Sequence, residues 1–477
     1  MGDGALATAA DDDTGRTGRV LLVSAAAAMG GFLFGYDTAV VNGAVEAIRA
    51  WAGLGDVMLG FSIASVLLGC AAGAWMAGPL ADRYGRLAVM RAAAFAFFIS
   101  SIGAGLAWDI WSFTFFRLIG GLAVGAASVI TPAYIAEVAP AHLRGRMGSL
   151  QQMAIVVGIF IALLCNYLLA DAAGGAAKPL WLGLDAWRWM FLVEAIPSIL
   201  YGLMAGLIPE SPRYLVSINE LNGAAVVIKR FLGTPPSVDA RIQAIRETLG
   251  RAERQTLSDL RGPAAGLLPV VWVGIFLSVF QQFVGINVIF YYSSVLWHAV
   301  GFTEADSLKI TVMTSLTNIA TTLVAIALID RIGRKPLLLL GSTGMALSLG
   351  LMAWIFSTAP MRQIADGSIV PDLTGNAGMI AVIAANLYVV FFGMSWGPVV
   401  WVLLGEMFNN RIRAYALAVS AAAQWLANFV VSQSFPILAG SGLGLAYGLY
   451  AAMAVLSFFF VWRFVMETKG RELEEME

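Results

Sequence analysis

Charge is what this chain of 477 residues lacks. Asp, Glu, Lys and Arg together make up 12% of it, about half the share of a soluble protein. A soluble fold of this length has too much surface to cover with so few charges. The net charge is −1, so no basic surface invites nucleic acid. Two His and two Cys are too few for most catalytic metal sites or for a disulfide framework. Neither a metal nor another cofactor is expected, and Cys70 and Cys165, both in apolar runs, read as packing residues. What is abundant is apolar: 59% of the chain is hydrophobic, with a mean hydropathy of +0.79. The 51 Gly suit close helix packing in a membrane. The chain belongs in lipid.

A spanning helix needs about 20 mainly apolar residues. Twelve such runs are legible, near 20–43, 58–79, 88–107, 111–134, 150–170, 188–208, 267–297, 309–329, 337–357, 378–404, 414–437 and 443–465. No cleavable leader is expected, because the first run is long. The predicted class is an all-α membrane protein of twelve transmembrane helices in two six-helix bundles. The predicted division is a tail 1–19, a bundle 20–208, a helical linker 209–262, a bundle 263–466 and a tail 467–477. In the linker, apolar residues recur at three- and four-residue spacing, which predicts short amphipathic helices. An even number of spans puts both termini on one side. That side collects 23 of the 29 Lys and Arg, and the opposite side 5. The bias predicts cytoplasmic termini in a multi-pass cell (inner) membrane protein.

The halves repeat each other. Asp82-Arg83 and Arg86 follow the second run; Asp330-Arg331 and Arg334 follow the eighth. Glu137 and Arg144 are seven apart after the fourth run, as are Glu406 and Arg413 after the tenth. Glu210 and Arg213 follow the sixth, and Glu467 follows the twelfth. Parallel repeats about an axis along the membrane normal are a transporter signature. Arg and carboxylate can pair bidentately, so these residues are expected to form a charge network at the cytoplasmic gate, latching the halves in one state and opening in another.

Two ionisable residues are read inside apolar runs, Asp37 and Arg117. Charges at depth usually face a cavity and mark a pathway. From the run ends, Asp37 lies ~25 Å from the cytoplasmic edge and Arg117 ~21 Å from it, so they can meet. A buried carboxylate takes up a proton when alone and yields it when a guanidinium approaches. That makes a proton-coupling device; a static ion pair is the alternative.

The seventh run carries Gln281, Gln282 and Asn287 around Gly285. Amides at membrane depth need a partner or a wet cavity, and an interrupted helix is where transporter sites form. Amides both donate and accept, which suits a ligand rich in hydroxyls. Gln151, Gln152, Asn318, Gln424 and Asn428 add to the set, and Trp396, Trp401, Trp425, Phe34 and Phe392 offer aromatic faces. The cluster favours a neutral sugar-like solute. Trp396-Gly397-Pro398 puts a breaker into the tenth run, a candidate moving gate.

These residues also carry a family resemblance. The GPLADRYGR and DRIGRK loops, PESPR at 209–213, QQFVGINVIFYY at 281–292, GPVVW at 397–401, AQWLAN at 423–428 and ETKGR at 467–471 resemble the sugar porters of the major facilitator superfamily. The likeness is strongest to bacterial proton-coupled symporters of the xylose type. It implies two bundles, alternating access and a chain that works as a monomer. It also implies sugar contacts at Gln152, Gln281, Gln282, Asn287, Trp401, Gln424 and Trp425, with Phe34, Tyr291, Asn318 and Phe392 near them. Asp37 and Arg117 match the family's proton-coupling pair. Ile159 stands where xylose symporters have a Gln that touches sugar, which tilts the expectation to D-glucose. A passive hexose facilitator and a pentose symporter remain alternatives. A sugar sensor would carry a long cytoplasmic tail, an enzyme would need a convergent acid–base or metal cluster, and drug export fits the amide lining poorly.

Overall fold

A computed structural model describes residues 3–140, 144–232, 238–252, 257–300, 302–363, 369–371, 373, 376–409 and 412–469. Twelve helices are long and apolar enough to cross a membrane. They are spans 1 (Thr17–Ala52), 2 (Asp56–Tyr84), 3 (Arg86–Gly105), 4 (Ile110–Val138), 5 (Leu150–Ala173) and 6 (Ala186–Leu207), then 7 (Pro269–His298), 8 (Glu304–Ile329), 9 (Arg334–Thr358), 10 (Asn376–Met407), 11 (Tyr415–Ser441) and 12 (Leu443–Phe464). Span 1 is longer than its apolar run, because a 3₁₀ turn at Val40–Ala44 and a short helix at Val45–Ala52 continue it. Between spans 6 and 7 lie helices Pro212–Ser217, Leu221–Val227 and Val238–Ala252.

One feature departs from the all-helical reading. Met361–Gln363 and Ile369–Pro371 pair as antiparallel strands between spans 9 and 10. Three residues per strand is too short to leave an alternation pattern in a sequence.

Span 2 packs on span 4 in the first half, and span 9 on span 12 in the second. Contact between spans 2 and 4 is close because both carry glycine; a Cβ on Gly121 would stand 2.9 Å from the Gly69 Cα. Span 2 also meets span 11, and span 5 meets span 8, which joins the halves. A single glycine separates span 2 from span 3, and another separates span 9 from the helix of span 8, which runs on to Ile332. Gly85 has φ +95° and Gly333 has φ +102°. Side-chain-bearing residues rarely adopt such angles. A Cβ at Gly333 would also lie 2.7 Å from a Glu467 oxygen. These two sharp corners therefore bring the repeated charged loops under the ends of spans 6 and 12.

Candidate functional site

At the end that carries the termini, each half builds the same polar knot. Arg86 grips Glu137 through Nε and Nη2, both at 3.1 Å, and its Nη1 donates to the Ala81 carbonyl. Asp82 lies 3.1 Å from the same guanidinium. Glu210 accepts the backbone N–H groups of Arg86 and Leu87, and the Ser211 hydroxyl donates to Glu137. In the second half Arg334 grips Glu406 at 3.0 and 2.7 Å and donates to the Ile329 carbonyl. Glu467 accepts the N–H groups of Arg334 and Lys335, and the Thr468 hydroxyl donates to Glu406. Partial burial favours the protonated form of Glu467. Backbone donors from Lys469, Arg334, Lys335 and Thr468 outweigh that and hold the carboxyl below the usual glutamate range.

In this conformation the described ion pairs close within each half. The reason is geometric: the glycine corner sets each arginine beside the fourth and sixth spans of its own half. Arg213 stands 4.0 Å from Glu137, Arg83 lies over the Tyr84 ring, and Arg413 donates to the Phe408 carbonyl of its own turn. Arg331 contributes its carbonyl, which accepts from Lys469 Nζ. The side chains of Arg144 and Asp330 lie outside the described residues.

At mid-depth of the first half, Arg117 Nη1 donates to Asp37 Oδ1 at 2.8 Å, and Nη2 to the Asp37 backbone carbonyl at 3.1 Å. Both side chains are 1% exposed. Asp37 Oδ2 finds no partner among the described residues. The Phe191 ring lies 5.7 Å from the guanidinium. One turn beyond Phe191 is Glu194, fully buried, both oxygens likewise unpartnered and within electrostatic reach of Asp37 and Arg117. Among the described residues, three acidic or basic side chains are therefore buried together at this site, not the two read from sequence. A lone Glu in the run Trp189-Met-Phe-Leu-Val-Glu194 was the signal.

At mid-depth of the second half there are amides instead. Span 7 breaks between Phe283 and Ile286, where Gly285 is left-handed. Asn287 Nδ2 donates to Gln282 Oε1 at 2.6 Å, and Gln282 Nε2 to Gln281 Oε1 at 3.4 Å. Gln281 Nε2 donates to the carbonyls of Trp396 and Gly397 in span 10, at 2.8 and 3.2 Å. Phe392 packs on Gly397, and the Asn318 side chain approaches Gly393. Tyr291 is buried, as is Gln424, whose Oε1 finds no partner among the described residues. Across the halves, Phe34 meets Trp425 with ring centroids 5.7 Å apart. Gln152 is half-buried on span 5, and the Ile159 backbone abuts Gly35. Trp401 stands apart, 42% exposed. The buried tryptophan of span 10 is Trp396, whose indole N–H reaches the Leu338 carbonyl and the Ser342 hydroxyl.

The described hydrogen bonds that side chains make between one half and the other, most of them to backbone groups, lie at the end away from the termini. Asn42 Nδ2 donates to the Phe290 carbonyl and Ser293 Oγ, both at 3.0 Å, and the Asn42 carbonyl accepts from Ser294 Oγ. Gln433 donates to the Val57 carbonyl, and Glu304 accepts the Ala176 N–H at 2.8 Å. This seal was not foreseen, since Asn42 and the serines are ordinary loop-end residues in sequence.

Two six-span halves, one with acidic and basic side chains at its core and the other amide-lined, with the described hydrogen bonds between them at one end, define a membrane carrier. The chain belongs to the family described as sugar (and other) transporter, whose model matches residues 23–477; it is a sugar porter of the major facilitator superfamily. It is 58% identical over 459 residues to a glucose transport protein of Synechocystis sp., covering 96% of this chain and 97% of that one. It is 37% identical over 492 residues to the D-xylose-proton symporter of Escherichia coli, covering 96% and 95%. Among solved structures, the inward-open conformation of the xylose transporter XylE from E. coli superposes with a TM-score of 0.80 at 36% identity, covering 96% of this chain and 99% of that one.

Proposed function

We propose that this chain is a proton-coupled hexose symporter of the bacterial inner membrane, with D-glucose as its sugar, working by alternating access with cytoplasmic termini. It moves its sugar unchanged. The observation that carries the proposal is the dry Asp37–Arg117 pair, with Glu194 beside it, in the half opposite the amide relay. Protonating Asp37 cancels its attraction for Arg117 and frees the guanidinium to move. The Phe34–Trp425 contact supports a route by which sugar bound in the second half is felt by span 1.

The amides Gln281, Gln282 and Asn287 would bind hydroxyls, and Gln152 and Gln424 would complete the ring of donors and acceptors. Ile159 in place of an amide favours glucose over xylose, as does the relative named as a glucose transport protein. The seal at the end away from the termini, and the likeness to an inward-open structure, support an inward-facing conformation. A passive facilitator is the second reading, favoured by one contact: Arg117 also holds the Asp37 backbone carbonyl, which protonation would leave intact.

The deciding experiment uses purified protein in liposomes with a trapped pH dye and D-glucose added outside. Glucose entry with internal acidification is expected. Entry of labelled glucose without acidification would make the chain a facilitator, and no entry would overturn D-glucose as the sugar.

A further inference from the structure

We propose that Gln281 couples ligand binding to the break in span 10: its amide nitrogen holds that break in the conformation seen here, and a sugar hydroxyl can claim the amide only by releasing it. The inference rests on the hexose-transport reading and adds to it a residue that links site to gate.

Span 10 stops at Gly393 and restarts at Trp396, with Ser395 between them at φ −134° and ψ −88°. Pro398 has no N–H to bond the Met394 carbonyl across the break, so the proline suits the first turn of a restarted helix and not a continuous one. Two contacts fix the restart. On one side the Trp396 indole donates to the Leu338 carbonyl at 3.1 Å and Ser342 Oγ at 3.0 Å, and Ser342 is bonded in turn to Ser457 of span 12 at 2.9 Å. On the other side Gln281 Nε2 donates to the Trp396 and Gly397 carbonyls. A primary amide has two N–H hydrogens, and this geometry directs both at span 10.

The relay behind Gln281 is uneven. Its outer link, Asn287 to Gln282, is 2.6 Å, whereas the link from Gln282 to Gln281 is 3.4 Å. The latter is longer than an ordinary N–H···O bond, so it is the weak joint. A hydroxyl donates and accepts at once and can enter there. It can satisfy Gln281 Oε1 without disturbing span 10. It can take an Nε2 hydrogen only by displacing the Trp396 or the Gly397 carbonyl. Ligand and hinge therefore compete for one group, and by linkage each weakens the other's hold on it.

The test compares two rates for labelled D-glucose in liposomes. Equilibrium exchange needs only the loaded carrier to reorient, whereas net entry also needs the sugar-free carrier to return. Gln281→Met removes the donor. It is expected to raise the KM of exchange and to raise the ratio of net entry to exchange by about fivefold, because return no longer breaks two hydrogen bonds. Gln281→Asn keeps an amide too short to reach span 10; it is expected to shift the ratio the same way and guards against misfolding of the first variant. A residue that only touched sugar would raise KM in both assays and leave the ratio at the wild-type value, and that result would overturn the coupling role. Wild-type protein that exchanges no D-glucose would instead overturn the hexose reading.

Discussion

At the end that carries the termini, Arg86 with Glu137 and Arg334 with Glu406 make the same paired bonds, and Glu210 and Glu467 accept the same backbone N–H groups. At mid-depth the likeness ends. The first half buries Asp37, Arg117 and Glu194; the second lines its core with Gln281, Gln282 and Asn287. A duplicated chain has kept its symmetry where helices must be held in place and lost it where ligands would be handled. Identical knots hold each half together as a body. Dissimilar cores allow one half to respond to a proton and the other to a hydroxyl-rich solute.

The sharpest way to break that contrast is Asp37→Asn. The substitution is expected to abolish uphill glucose accumulation while sparing exchange, measured with a proton gradient and with counterflow respectively. Accumulation that survives would move the pair from the working core to the scaffold.

Next in size is the removal of one knot. Glu137→Ala and Glu406→Ala each remove the two-pronged carboxylate from a guanidinium that is about nine-tenths buried. Each should lower stability by about 3 kcal/mol, read from denaturation in detergent. Losses that differ by more than ~1 kcal/mol would show that the knots are not equivalent.

A smaller effect tests the contact between the unlike cores. Trp425→Ala deletes the ring against Phe34 and should raise the KM for glucose about tenfold with little change in stability.

The smallest concerns Glu467. Its carboxyl is held below the usual range, so the negative form contributes stability above about pH 4.3, the ordinary glutamate value. That contribution is lost as pH falls through the lower folded value. Glu467→Gln should remove this part of the acid sensitivity; unchanged melting-temperature curves against pH would rule it out.

The spans were legible because each is a run too apolar for water, and the ion pair because rise per residue converts run position to depth. The direction of the cytoplasmic charges was not. Matched motifs disclose that Arg86 and Arg334 play equal parts, but not that a glycine corner turns each one back on its own half. Glu194 was lost among apolar neighbours, since run-averaged hydropathy dilutes one carboxylate. The hydrogen bonds of Gln281 were hidden for another reason. An amide can donate or accept in any direction, and only folding brings the carbonyls of residues more than 100 positions away to its nitrogen.

The self-contained knots have a genetic consequence. Each half carries every member of its own lock, and the described side-chain bonds between halves lie far from the linker. The first-half knot reaches into the connection through Glu210 and Ser211, so it is the stretch past Ser217 that lies outside both knots. A gene split past Ser217 is expected to encode two polypeptides that each keep a whole knot, and halves that restore no glucose uptake when made together would count against it. They would find each other through the faces of spans 2 and 11 and of spans 5 and 8, as two subunits of a heterodimer would.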